Sequence, residues 1–68
     1  MTFAQKLKAV RTDRGLSQNE LARLTDLSQA MIAQYELGIK CPHINTLKEL
    51  ARKLHVEIED LQTDDEKE

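Results

Sequence analysis

Cys41 and His43 flank Pro42 and are the first side chains to weigh for chemistry, because thiolates and imidazoles serve both as metal ligands and as nucleophile partners. A metal site needs three or four ligands, and only His55 remains to add, so neither a metal nor any other cofactor is expected. A lone cysteine also rules out an internal disulfide. There is no Ser-His-Asp or Cys-His arrangement with supporting residues, no phosphate-binding glycine loop and no carboxylate pair suited to a cleft, so an enzyme is not expected. What remains is hydrogen bonding. Gln18, Gln29 and Gln34 each carry an amide that donates and accepts, and Ser17 and Ser28 stand just before two of them.

Those serines read as helix caps. Ser17, with Glu20 three residues on, forms a capping-box pattern, and Ser28 opens the next helix. Two short capped helices joined by a tight turn make a helix-turn-helix, whose second helix ordinarily lies in a DNA groove. The other elements follow from apolar spacing. Phe3, Leu7 and Val10 make one stripe on a first helix over about Thr2 to Asp13, with Thr2 as cap and Gly15 as stop. Leu21 and Leu24 face inward on the second helix, and Asp26 falls in the turn, where a left-handed backbone is expected. Ile32 and Tyr35 face the core from the third helix, about Gln29 to Leu37, which Gly38 ends. Ile44, Leu47, Leu50, Ala51 and Leu54 repeat along a fourth helix, and Val56, Ile58 and Leu61 indicate a short fifth turn or helix. The expected fold is all-α: a compact bundle of five short helices around a central helix-turn-helix. Residues 1–62 form the domain and residues 63–68 an acidic, frayed tail.

At 68 residues the chain buries only about 60% of its unfolded surface, so the core is thin and dimerisation would help it. The net charge of −2 is unevenly placed. Residues 1–56 hold nine Lys or Arg against five acids, giving +4, whereas residues 57–68 hold Lys67 against seven acids, giving −6. A mildly basic body suits phosphate contact better than the whole-chain charge implies. No segment is apolar enough to span a membrane and no signal-peptide core opens the chain, so a cytoplasmic location is expected.

Arg11, Gly15-Leu16-Ser17-Gln18, Glu20-Leu21-Ala22, Leu27-Ser28, Ile32, Tyr35-Glu36, Gly38, Pro42, Leu47, Leu50-Ala51 and Leu54 stand in an ordered pattern across residues 3–61. In that pattern the chain resembles the Cro/repressor-type helix-turn-helix domains of phage repressors and many bacterial regulators, the lambda repressor-like fold. The resemblance implies that Gln29, Ala30, Ala33 and Gln34 face base edges, where glutamine pairs with adenine N6 and N7 and alanine meets a thymine methyl. It implies that Gln18 touches a phosphate and braces the recognition helix, and that Lys40 and Arg14 also meet phosphates. Arg11 and Glu36 take the places of an ion pair that pins the first helix to the third.

Several positions depart from the family pattern. Asp26 and His55 stand where glycine is frequent, and Leu37 is apolar where polar or basic residues are common. With Ala30, Met31 and Ala33 on the third helix, few side chains hydrogen-bond bases, which leaves room for readout through DNA shape. Some residues carry two readings. Arg11 and Glu36 form either a buried pair or a surface pair worth little. Ile58 and Leu61 either close the monomer core or make a dimer seam. Lys40 is either a phosphate contact or a free loop lysine. Met31 fills a gap or sits at the rim, and the acidic tail either solubilises or restrains binding.

The function these features imply is a sequence-specific transcription regulator binding double-stranded DNA, a repressor acting as a homodimer on an inverted-repeat operator. The alternative is an antitoxin or coactivator-like adaptor that binds a protein partner. No small-molecule ligand is indicated.

Overall fold

Thr2, Ser17 and Ser28 decide where the first three helices start. In the computed structural model, which describes residues 1–62, each of these side chains accepts a hydrogen bond from a backbone N–H in the first turn that follows. Helix α1 runs Phe3–Asp13, α2 Gln18–Thr25, α3 Gln29–Glu36 and α4 Ile44–Leu54. Thr2 and Ser17 make full capping boxes, closed by the side chains of Gln5 and Glu20. His43 precedes α4 without a side-chain cap.

All four α-helices stop the same way. Gly15, Asp26, Gly38 and His55 adopt φ of 72°, 61°, 79° and 60°. The next N–H then turns back to a carbonyl five residues earlier: Leu16 to Arg11 at 3.1 Å, and Leu27 to Ala22, Ile39 to Gln34 and Val56 to Ala51 each at 3.0 Å. This left-handed stop is cheap for glycine and costs other L-residues about 1–2 kcal/mol, less for aspartate, whose short polar side chain tolerates it. His55 is therefore the strained member of the set.

The core is one cluster contributed by every element. Phe3 and Leu7 enter from α1, Leu21 and Ala22 from α2, Ile32 and Tyr35 from α3, and Leu47, Leu50, Ala51 and Leu54 from α4. The Phe3 ring meets Tyr35 edge-on, with centroids 6.0 Å apart and planes at 76°. Helix α3 packs on both α1 and α2, so its orientation is set from two sides.

The structure corrects the expected layout at three points. The fifth helix is a single 3₁₀ turn, Ile58–Asp60, because too few residues follow His55 to propagate α-helical bonding before Leu61. Leu24 does not face inward and is 45% exposed. The buried stripe of α2 is Leu21, Ala22 and Thr25, and Thr25 satisfies its hydroxyl by donating to the Leu21 carbonyl at 2.8 Å. Leu61 is fully buried in the monomer core, so a dimer seam does not use its side chain, while Ile58 packs partly exposed at the edge of the same cluster. Lys6 Nζ donates to the Gln62 carbonyl and holds this closing turn against α1. The expected frayed tail, residues 63–68, lies outside the described residues.

Candidate nucleic-acid interface

Helix α3 has one face for the core and one for solvent. Ile32 and Tyr35 are buried, and Met31 packs partly against the core. Gln29 and Ala30 are exposed, and Ala33 and Gln34 are half-buried. On a 3.6-residue repeat these four fall on one side of the helix, directed away from Ile32 and Tyr35. Leu37, which caps the helix, continues that side and is 72% exposed. The outer face thus presents two amides, two methyl groups and one isobutyl group.

A chain of hydrogen bonds fixes the first of those amides. Gln29 Nε2 donates to Gln18 Oε1 at 2.7 Å. Gln18 Nε2 donates in turn to Glu36 Oε1 at 3.0 Å. The Glu36 carboxylate also receives Arg11, with Nε on Oε2 at 2.6 Å and a terminal guanidinium nitrogen on Oε1 at 3.0 Å. The other terminal nitrogen of Arg11 donates to the Leu16 carbonyl at 2.7 Å. Three helices and the α1–α2 turn are thereby joined through side chains.

The Arg11–Glu36 pair is buried, with side chains 10% and 4% exposed, which decides between the two readings of the sequence. Burial works against the charge on Glu36, but hydrogen bonds from Arg11 and Gln18 outweigh it and hold its pKa below the ordinary value. The hydrogen bond to Glu36 raises the Arg11 pKa, against the cost of burial. Both charges are therefore present at neutral pH, and both are hydrogen-bonded as a buried pair must be.

Lys40 is exposed on the loop after α3 and makes no ion pair among the described residues. Arg14 is not brought to this group. Its Nε donates to the Leu54 carbonyl at 2.8 Å and a terminal nitrogen to the His55 carbonyl at 3.2 Å. The guanidinium thus satisfies carbonyls at the C-terminus of α4, where the helix dipole favours a cation. Cys41 is exposed, and among the described residues no group of three or more His, Cys, Asp or Glu is placed to hold a metal. No described helix is long and apolar enough to cross a membrane.

Sequence reasoning missed the bond between Gln18 and Glu36. The neighbouring Gln18–Gln29 contact had a local signal, since each glutamine follows a serine cap and opens its helix, but no local pattern ties Gln18 to Glu36.

The sequence pattern of the HTH_3 family, described as helix-turn-helix, matches residues 7–61. The chain belongs to that family. By that match this chain is a helix-turn-helix domain. It is 34% identical over 58 residues to an immunity repressor protein of Bacillus phage phi105, covering 85% of this chain and 40% of the repressor. It is 32% identical over 66 residues to the HTH-type transcriptional activator BcrR of Enterococcus faecalis, covering 97% of this chain and 32% of the activator. Its fold matches the restriction-modification controller protein C.AhdI of Aeromonas hydrophila with a TM-score of 0.83 at 34% identity, covering 87% of this chain and 86% of the controller. The helix-turn-helix domain therefore spans less than half the length of the two curated relatives and most of the controller.

Proposed function

We propose that this helix-turn-helix domain binds double-stranded DNA sequence-specifically as a homodimer, with α3 of each protomer in the major groove of one half of an inverted repeat, and that it acts as a repressor. The observation that carries this reading is the outer face of α3, which makes few internal contacts yet holds Gln29 in a fixed pose. Gln29 pairs with an adenine through N6 and N7, Ala30 and Ala33 lie against thymine methyls, and Gln34 supplies a second amide. Lys40 and the remaining N–H of Gln18 meet phosphates, which position the domain without reading sequence. Arg14 braces α4 and contributes no phosphate contact.

The phage immunity repressor and the controller protein support a regulator of this kind. One monomer covers only a few base pairs, so two protomers are needed for useful specificity. A protein-binding role, as antitoxin or adaptor, is the second reading, favoured by Leu37 and Ile39, which are 72% and 65% exposed.

Selection from a random duplex library at moderate salt tests the proposal. An enriched inverted repeat with half-sites about one helical turn apart is the expected result. Salt-labile binding to all duplexes alike would transfer the weight to the protein-binding role.

A further inference from the structure

We propose that Glu36, beyond pairing with Arg11, dictates which purine Gln29 accepts, by fixing the polarity of two glutamine amides in series. This rests on the reading of DNA by α3. An amide is ambiguous: either its oxygen or its NH₂ can face a neighbour. A carboxylate is not, because an ionised carboxylate only accepts. Gln18 must therefore turn Nε2 to Glu36, as the 3.0 Å contact places it. Its Oε1 is then the atom left to face Gln29, and Gln29 must answer with an N–H, as the 2.7 Å contact places it. Arg11 holds the origin of the series, since its two hydrogen bonds to Glu36 leave the carboxylate no freedom to rotate.

The consequence lies at the outer end. We take Gln18 to engage the Gln29 amide hydrogen trans to Oε1, so that a ligand meets the cis hydrogen and Oε1 side by side. That donor–acceptor pair complements adenine, which offers N7 as acceptor and N6 as donor. Guanine offers two acceptors, N7 and O6, and would set O6 against Gln29 Oε1. A Gln29 released from the series can turn its NH₂ edge to guanine instead. Glu36 thus acts as a positioning residue for base choice from a buried site, while Gln29 makes the contact.

The test uses the duplex enriched by the parent chain and a copy in which the adenine that depends on Gln29 is replaced by guanine, with its partner base changed to match. The affinity ratio of the two duplexes is measured for the parent, Gln18→Met and Glu36→Gln. A ratio taken on one preparation cancels any unfolded fraction, so mere loss of stability does not move it. The parent is expected to favour adenine by about ten- to hundredfold, the range of one good bidentate pair. Both variants are expected to fall to about threefold or less, because neither enforces the amide polarity. Should Glu36→Gln fail to fold, Gln18→Met decides alone. Gln29→Ala separates the two levels of the argument. If it abolishes the adenine preference while Gln18→Met and any folded Glu36→Gln retain it, the polarity proposal is overturned and the groove reading stands. If the parent enriches no sequence, or Gln29→Ala changes no base preference, both are overturned.

Discussion

Gln18 and Gln29, the first residues of α2 and α3, join their amides at 2.7 Å and so link the N-termini of the two helices. Each is put there by the serine before it, and behind them Glu36 and Arg11 complete a series that ends in the buried interior. The same atoms thus tie the packing of three helices to the face that α3 offers to DNA.

Removing one member of the buried pair leaves the other charge without its partner. Arg11→Met or Glu36→Leu is expected to destabilise the domain by about 3–5 kcal/mol, enough to unfold much of so small a protein. Urea denaturation followed by circular dichroism measures this. The double variant Arg11→Met/Glu36→Leu is expected to lose clearly less than the two single losses together.

Acid is expected to act through the same pair. The folded pKa of Glu36 lies below its ordinary value near 4.5, so the folded state binds fewer protons than the unfolded state as pH falls past that value. The stabilisation is complete above about 4.5 and is lost as pH falls through the lower folded value. Exposed Glu20, whose pKa is lowered by hydrogen bonds within the Ser17 cap, shifts in the same direction. Thermal melts between pH 7 and pH 3 check this: the midpoint is expected to hold near neutrality and drop at the acid end, with a smaller drop in the Arg11→Met/Glu36→Leu variant.

Arg14 and Lys40 look alike in sequence but are expected to separate in experiment. Arg14→Ala strips two carbonyls at the end of α4 of a charged donor and is expected to cost about 0.5–1.5 kcal/mol of stability, with no change in the salt dependence of DNA binding. Lys40→Ala is expected to leave the melting temperature within about a degree or two, to weaken binding to all duplexes alike and to reduce the salt slope by about one ion. Paired thermal melts and salt titrations of binding distinguish them.

The strained stop of α4 is open to improvement. His55→Gly is expected to stabilise the domain by up to about 1 kcal/mol, because glycine adopts φ near 60° without the clash of a β-carbon, less some loss through its freer unfolded chain. His55→Val is expected to destabilise it, since a β-branched residue is poorly accommodated there. Denaturant midpoints at one pH compare the three proteins.

The parts of this molecule that local chemistry decides were legible in the sequence. Ser17, Ser28, Gly15 and Gly38 mark helix starts and stops within a residue or two, because caps and left-handed stops involve neighbours along the chain. The parts that depend on approach between distant segments were not. Leu24 is hydrophobic at a helical spacing from Leu21, yet the packing of α2 on α3 and α4 turns Thr25 inward instead. Arg14 finds its partners some forty residues away, at Leu54 and His55, which no local pattern reveals. The fifth helix shrank to one turn because Leu61 must reach the core so soon after α4 ends. The four residues read as base-facing do share the outer side of α3, whereas the amide series behind them emerges only when α1, α2 and α3 are assembled.

Whether Gln29 reads a base from α3 is decided by parallel selections from one random duplex library with the parent and with Gln29→Ala. Both are expected to enrich related inverted repeats, with adenine at one step of each half-site retained by the parent and lost by the variant. Identical enriched sequences from the two proteins would contradict it.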